Sequence, residues 1–452
     1  MESTPAELAE SRRAPRGALA IIFVTVFIDL LGFGIVLPLL PRYGQAFEAS
    51  GLTLGLLMSS FSAMQFFFAP LWGRLSDRIG RRPVLIIGLA GSTFFYALFG
   101  FATSLGKDGV LLGLGTMTWL FLTRIGAGIA GATISTAQAY IADVTGPRER
   151  TKGMALIGAA FGIGFTFGPL IGAGFVGGVA AAEGHTEALI TPSPWPGYVA
   201  SALSGIAMLW AMLRLPESLT QRTDELVSHG HGLQQLGRLG TALRKPVIGA
   251  TLISSFLTIL AFAQFESTLS LLTNRLGLND AQNYLVFAYI GLILTIVQGG
   301  IVRRIAPKLG EFKMAITGVT ILVAGLLLIG LSGSVGSFNM LMWVLPLAVI
   351  GFAFANPAFQ AVLSLHSAAD EQGGILGLGQ SVSALARIAG PVIGLSMKDA
   401  HISAPYWVGA SIMLLAWAMT FTLRKSEEQR DELRRTTTKT QEASTSDSVA
   451  GH

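Results

Sequence analysis

A helix needs roughly 20 predominantly apolar residues to cross a hydrocarbon core about 30 Å thick, and this 452-residue chain contains twelve stretches of that kind. They fall near residues 18–40, 52–72, 84–103, 112–140, 153–180, 197–215, 247–273, 283–302, 312–332, 338–365, 373–396 and 404–423. Only 13% of the residues are charged, against about 25% in an ordinary water-soluble domain, so most of the chain cannot face water. Outer-membrane barrels alternate apolar and polar positions in segments of about ten residues. The runs here are continuously apolar, and the class expected is an all-α integral membrane protein with twelve transmembrane helices. An even number of crossings places both termini on one side.

Which side follows from the basic residues. Arg74, Arg78, Arg81, Arg82, Arg148, Arg150, Lys152, Arg238, Arg244, Lys245, Arg303, Arg304, Lys308, Arg424 and Lys425 fall in the terminal or alternate-loop set, and the opposite set offers Arg42, Lys107, Arg275 and Lys398. Short cytoplasmic loops carry the excess of Lys and Arg, so both termini and the 216–246 connection are expected in the cytoplasm of a cell (inner) membrane protein. The net charge of +5 is accounted for by this asymmetry, without a nucleic-acid partner. The first seventeen residues carry Arg12, Arg13 and Arg16. No small-residue cleavage site follows the next apolar segment, which therefore reads as a retained first span.

The polar stretch 216–246, with Pro216, Glu217, Arg222, Asp224, Glu225, His229 and His231, reads as a linker. It divides the chain into an N-terminal six-helix bundle (1–216), a cytoplasmic linker (217–246), a C-terminal six-helix bundle (247–425) and a disordered cytoplasmic tail (426–452). The chain has no cysteine, which excludes disulfides, thiol catalysis and thiolate metal sites. His229 and His231 suit a metal only if other ligands converge on that loop, so neither metal nor cofactor is expected. No nucleophile–base constellation or phosphate-cradling loop is present, and the chain is not expected to be an enzyme.

The two bundles echo one another. Gly168-Pro169-Leu170-Ile171-Gly172 in the fifth span recurs as Gly390-Pro391-Val392-Ile393-Gly394 in the eleventh, an offset of 222 residues (390 − 168) that also relates Gln138 to Gln360 and Glu149 to Glu371. Three matches in register point to an ancestral duplication and hence to a cleft between pseudo-symmetric halves. Transporters of that build hold substrate near the bilayer midplane and rock one half against the other.

Between the second and third spans the chain reads Gly73-Arg74-Leu75-Ser76-Asp77-Arg78-Ile79-Gly80-Arg81-Arg82-Pro83, which resembles the hallmark loop of the major facilitator superfamily. Thr123 to Gly128, Tyr140 to Asp143, the glycine-rich run Gly162 to Gly172 and Leu215-Pro216-Glu217-Ser218 are similar to the matching parts of twelve-span drug:proton antiporters. The first half, with Asp29-Leu30-Leu31-Gly32-Phe33-Gly34 and Pro38, looks most like tetracycline/proton antiporters. The second half departs from them: the polar His and Asp of tetracycline exporters in spans eight and nine are replaced near Leu294 or Thr295 and Thr320.

The resemblance implies the major facilitator fold, a monomer in the lipid bilayer, and proton-coupled antiport exporting amphipathic small organic molecules. A proton-coupled symporter or uniporter importing a metabolite or sugar is the alternative on the same scaffold. It further implies a cytoplasmic gate from Gly73, Asp77, Arg78, Gly80, Arg81, Arg82, Asp143 and Arg150, for which solvated loop charges are the plain alternative. Gly164, Gly168, Pro169, Gly172, Gly390 and Pro391 are expected to let helices pack and slide closely.

Charged groups at membrane depth need a reason, because each costs about 2.5–3.5 kcal/mol at a helix centre on insertion scales. Asp29, Glu266 and Arg124 are therefore the candidates for proton coupling, each expected to face the cleft. Asp29 reads either as a proton carrier or as a packing partner of the first span. Glu266 reads either as a second proton or cationic-substrate site or as a carboxylate nearer the outer interface. Family architecture lines the cleft with spans 1, 4, 7 and 10, which makes Phe27, Phe33, Gln138, Gln264, Phe265, Asn356 and Gln360 the candidate substrate wall. Arg387 joins them as a contact for anionic groups, with a structural pair as the alternative.

Overall fold

A computed structural model describes residues 17–145, 150–176, 192–219, 242–367, 372–398 and 400–421. Its helices are α1 (Ala18–Val36), α2 (Leu40–Ala46), α3 (Gly51–Ile79), α4 (Arg81–Ser104), α5 (Thr116–Gly131), α6 (Ile134–Val144), α7 (Arg150–Ala173) and α8 (Trp195–Arg214) in the first half. The second half contains α9 (Pro246–Arg275), α10 (Asp280–Ile296), α11 (Arg303–Leu309), α12 (Glu311–Val335), α13 (Phe338–Leu365), α14 (Gln372–Met397) and α15 (Ala404–Phe421). Among the described residues, eleven helical segments are long and apolar enough to cross a membrane. The expected fifth span is α7, whose apolar part Gly158–Ala173 is shorter. Linker residues 220–241, the tail and the Glu149/Glu371 echo lie outside the described residues.

Local chemistry sets the boundaries. Ser50 caps α3 by accepting the Thr53 amide, Asn279 and Gln282 form a reciprocal capping box at α10, and Ser337 caps α13, each satisfying an otherwise orphaned donor. The α3/α4 corner is made by Gly80 at φ 109°, a backbone geometry that side chains rarely tolerate. Pro38 and Pro41 remove two backbone donors, so α1 tightens through a 3₁₀ turn (Leu37–Leu39) into α2. Between α10 and α11 the chain passes through a π-helical turn, Val297–Val302. Departing from the all-helical expectation, a two-residue antiparallel ribbon, β1 (Val110–Leu111) and β2 (Leu114–Gly115), joins α4 to α5.

The packing is that of a protein with an apolar core and an apolar outside. Helix α1 is polar only at Thr25 and Asp29, and such all-round apolar helices belong in lipid or between other helices. Large side chains such as Leu213, Trp343 and Leu415 stay exposed on outer faces, where a membrane, not water, is the fitting solvent. Within the halves α1 packs on α7 and α8, α4 on α8, α9 on α14 and α12 on α13; between them α3 meets α14 and α7 meets α10. The end of the bundle carrying the Gly73–Pro83 loop is called the loop end below, and the opposite end, where α1 runs into α2, the far end.

Candidate translocation site

At the loop end, the hallmark loop is held by a carboxylate, Glu217, that the sequence placed at the end of the first half without assigning it a partner. Glu217 accepts the amides of Arg81 at 2.9 Å and Arg82 at 3.2 Å, and so caps the N-terminus of α4, where Gly80 supplies no side chain. A negative group there also meets the positive end of the helix dipole. Glu217 lies so close to Gly80 that any side chain at that glycine would collide with its carboxylate. The Arg81 guanidinium bridges Asp77 at 2.5 Å, Ser76 at 2.6 Å and Asp143 at 3.1 Å. Ser218 also donates to Asp143, Arg82 donates to the Met212 carbonyl, and the Tyr140 hydroxyl to that of Pro216. None of these bonds reaches the second half. Arg78 is exposed and Gly73 has open space around it; the backbone of Arg150 begins α7, and its side chain lies outside the described residues.

In the first half, Asp29 is half-buried and accepts a hydrogen bond from Ser204 of α8 at 3.0 Å. It thus faces its own bundle, not the opposite half. Tyr96 lies within electrostatic reach of both Asp29 and Arg124, connecting α1 to α5. Arg124 is buried, with its guanidinium 4.5 Å over the Phe61 ring and its Nε without a hydrogen-bond partner. A cation over an aromatic face recovers part of its lost hydration. Among the described residues no carboxylate comes within ion-pair distance of Arg124.

The second half has its own charged pair. Glu266 on α9 is half-buried and Arg387 on α14 is exposed, and the two interact electrostatically without approaching to ion-pair distance. Their helices are locked in register: a side chain at Gly390 would meet Leu260, Ala263 and Gln264, and one at Gly394 would meet Gln264 and Thr268.

The wall residues divide between surface and core. Gln138 is exposed, and Asn356, Gln360, Phe27 and Phe33 are half-buried. Phe27 stacks on Phe23, whereas Phe33 contacts Phe61 and Phe165. Gln264 and Phe265 lie instead in the second-half interior: Gln264 donates to the Pro405 carbonyl at 2.7 Å, and Phe265 packs against Phe262 and Tyr406. Both sit on α9, nearly every position of which is buried, so a polar–apolar sequence pattern could not tell its core face from its cleft face.

The glycine-rich span is a contact surface. A side chain at Gly168 would come within 2.9 Å of the Leu31 carbonyl and 3.0 Å of Gly34, and one at Gly164 within 3.1 Å of Leu30. α7 therefore lies against α1 with backbone on backbone. Further along, Gly172 abuts Tyr284 of α10, and Pro391 and Val392 of α14 abut Gly55 of α3. Thr295 faces Thr166 across the halves at 3.3 Å, and Thr320 accepts a bond from Trp417.

Bonds between the halves gather toward the far end. Ser59 of α3 donates to the Ile388 carbonyl at 2.5 Å. Beyond it, Arg42 of α2 pairs with Asp280 at 2.8 Å and donates to Thr273 and the Ser270 carbonyl. Sequence reasoning used Arg42 only as a topology-setting charge. Outside the spans, exposed Lys107 pairs with Glu48 at 2.5 Å, and that hydrogen bond raises its pKa above the ordinary lysine value.

Membrane-crossing helices packed through small-residue contacts define a multi-pass membrane protein, and its family and relatives make it a transporter, not an enzyme. The chain belongs to the Major Facilitator Superfamily, whose family model matches residues 22–391. A tetracycline resistance protein, class E, from Escherichia coli is 31% identical over 381 residues, covering 82% of this chain and 85% of that protein. Multidrug resistance protein 2 of Bacillus subtilis (strain 168) is 26% identical over 411 residues, covering 90% of this chain and 95% of that one. Among solved structures, the human organic anion transporter MFSD10 (TETRAN) superposes with a TM-score of 0.64 at 27% identity, over 90% of this chain and 100% of that chain.

Proposed function

We propose that the protein is a proton-coupled antiporter that exports amphipathic small organic molecules by alternating access between its two halves, with the loop end in the cytoplasm. The observation that carries this reading is the Glu266–Arg387 pair: two opposite charges on the adjacent helices α9 and α14 that interact beyond ion-pair distance, both with accessible surface. A carboxylate so placed can give up a proton to, or take one from, water entering between the halves. The Asp29–Tyr96–Arg124 group supplies a second charged site inside the first half. Efflux and resistance proteins among the relatives support export, and the basic loops support the orientation.

The half-buried aromatic and amide groups Phe27, Phe33, Gln138, Asn356 and Gln360 suit flat amphipathic molecules, for which a few polar groups fix orientation on an apolar wall. The test is transport into proteoliposomes of a panel of aromatic amphipaths, including tetracycline and lipophilic dye cations, with an imposed pH gradient. Accumulation of at least one compound should follow an acidic lumen and collapse when an ionophore dissipates the gradient. Accumulation indifferent to the gradient for every transported compound would point to facilitated diffusion instead.

A further inference from the structure

We infer that Arg42 is a positioning residue of the transport cycle: with Asp280 it forms the latch that closes the far end and is undone when that end opens. It rests on the two halves moving against one another and not on which ion drives them.

The latch is built from a broken helix. Where Pro38 and Pro41 interrupt the α-helical ladder, the backbone turns and brings its carbonyls to the other half. Ser270 donates to the Pro38 carbonyl at 2.6 Å, Asn283 donates to the same oxygen at 3.2 Å, and the Tyr284 hydroxyl donates to the Ile35 carbonyl at 2.8 Å. One turn on, Arg42 is completely buried, and its guanidinium reaches Asp280 at 2.8 Å, Thr273 Oγ1 at 3.0 Å and the Ser270 carbonyl at 3.1 Å. Thr273 in turn donates to Asn283 at 2.6 Å. Every one of the Arg42 contacts is with the other half, 228 to 238 residues away in sequence.

Such a pair suits a switch better than a rivet. The attraction between two buried charges is largely cancelled by the water each gives up, so a well-made buried pair adds little net stability compared with the same charges hydrated apart. Asp280 opens α10 and Arg42 lies in the last turns before the Ala46 terminus of α2, so separation returns both charges to the aqueous boundary. Closing the latch is geometrically exacting, because Arg42 must find three acceptors at once. Removing one partner alone leaves a stranded buried charge, and only the closed state suffers.

The test exploits the absence of native cysteine. Spin labels at Asp108→Cys and Arg275→Cys, both exposed at the far end on opposite halves, report its opening by pulsed electron–electron distance measurement in lipid nanodiscs without a pH gradient. The parent protein should show a dominant short distance. Arg42→Ala and Asp280→Ala should each shift the closed-to-open ratio by about 100-fold toward a longer distance. The exchanged pair Arg42→Asp with Asp280→Arg should restore the short one. Unchanged distances in both alanine variants, or a long distance in the exchanged pair when it folds with parental thermal stability, would overturn the assignment. Should the exchanged pair fail to fold, Arg42→Lys decides: it keeps the charge and should populate the short distance well above Arg42→Ala, and equality of the two would refute the latch. Failure of proton coupling leaves these distances untouched, so the two readings fall separately.

Discussion

Replacing Glu217 by alanine should loosen the hallmark loop without unfolding the bundle. The carboxylate accepts two first-turn amides of α4, those of Arg81 and Arg82, and Gly80 offers no side chain in its place. Loss of a side-chain cap costs typically about 1 kcal/mol, and removing a surface carboxylate from a helix N-terminus about 0.3–1 kcal/mol more. Taking the lower part of the charge range, because Glu217 is exposed, the sum is about 1.5 kcal/mol, or roughly tenfold in the opening equilibrium of the first turn. Hydrogen–deuterium exchange reads this directly: the amides at Arg81 and Arg82 should exchange about tenfold faster in Glu217→Ala. Those of Leu89 to Tyr96, deeper in the same helix, should be unchanged. Glu217→Gln keeps an acceptor oxygen and loses the charge, so it should fall between. Equal protection of Arg81 and Arg82 in all three proteins would refute the capping argument.

Other consequences of the geometry are as direct. Glu266→Gln should abolish gradient-driven accumulation while preserving substrate exchange at equal pH, whereas Asp29→Asn, which keeps a bond acceptor for Ser204, should reduce transport less; proteoliposome flux separates the two. Gly168→Ala places a methyl group 2.9 Å from the Leu31 carbonyl and should cost about 1–3 kcal/mol, seen as a lower unfolding temperature in detergent. Combined with Gly34→Ala, whose methyl would meet Gly164, the loss should be smaller than the sum, because one separation of α1 from α7 relieves both. Arg81→Gln removes the link joining Asp77 to Asp143 and should lower transport while leaving the amount of folded protein in the membrane unchanged.

The spans were legible because length and apolar continuity are local properties: α13, expected over 338–365, is found at Phe338–Leu365. The run Gly73–Pro83 was legible as a motif for the same reason, although which arginine pairs with Asp77 was not. What sequence could not supply is which way a side chain faces on a helix that is apolar all round. Asp29 was expected toward the cleft and turns to Ser204 in its own bundle; Phe265 and Gln264 were expected at the cleft and lie in the second-half interior. The Arg42 contacts join positions 228 to 238 apart, and Glu217 caps an amide 136 residues away. Neither leaves a periodic trace, so one read as a topology charge and the other as the end of the first half, without a partner.

The most direct test of proton exchange for substrate is proton counting on the detergent-solubilised protein in weak buffer with a pH-indicating dye. Addition of a compound transported in vesicles should release protons from the parent protein and none from Glu266→Gln. Proton uptake on binding would make the protein a symporter, and release that persists undiminished in Glu266→Gln would contradict the assignment of that carboxylate.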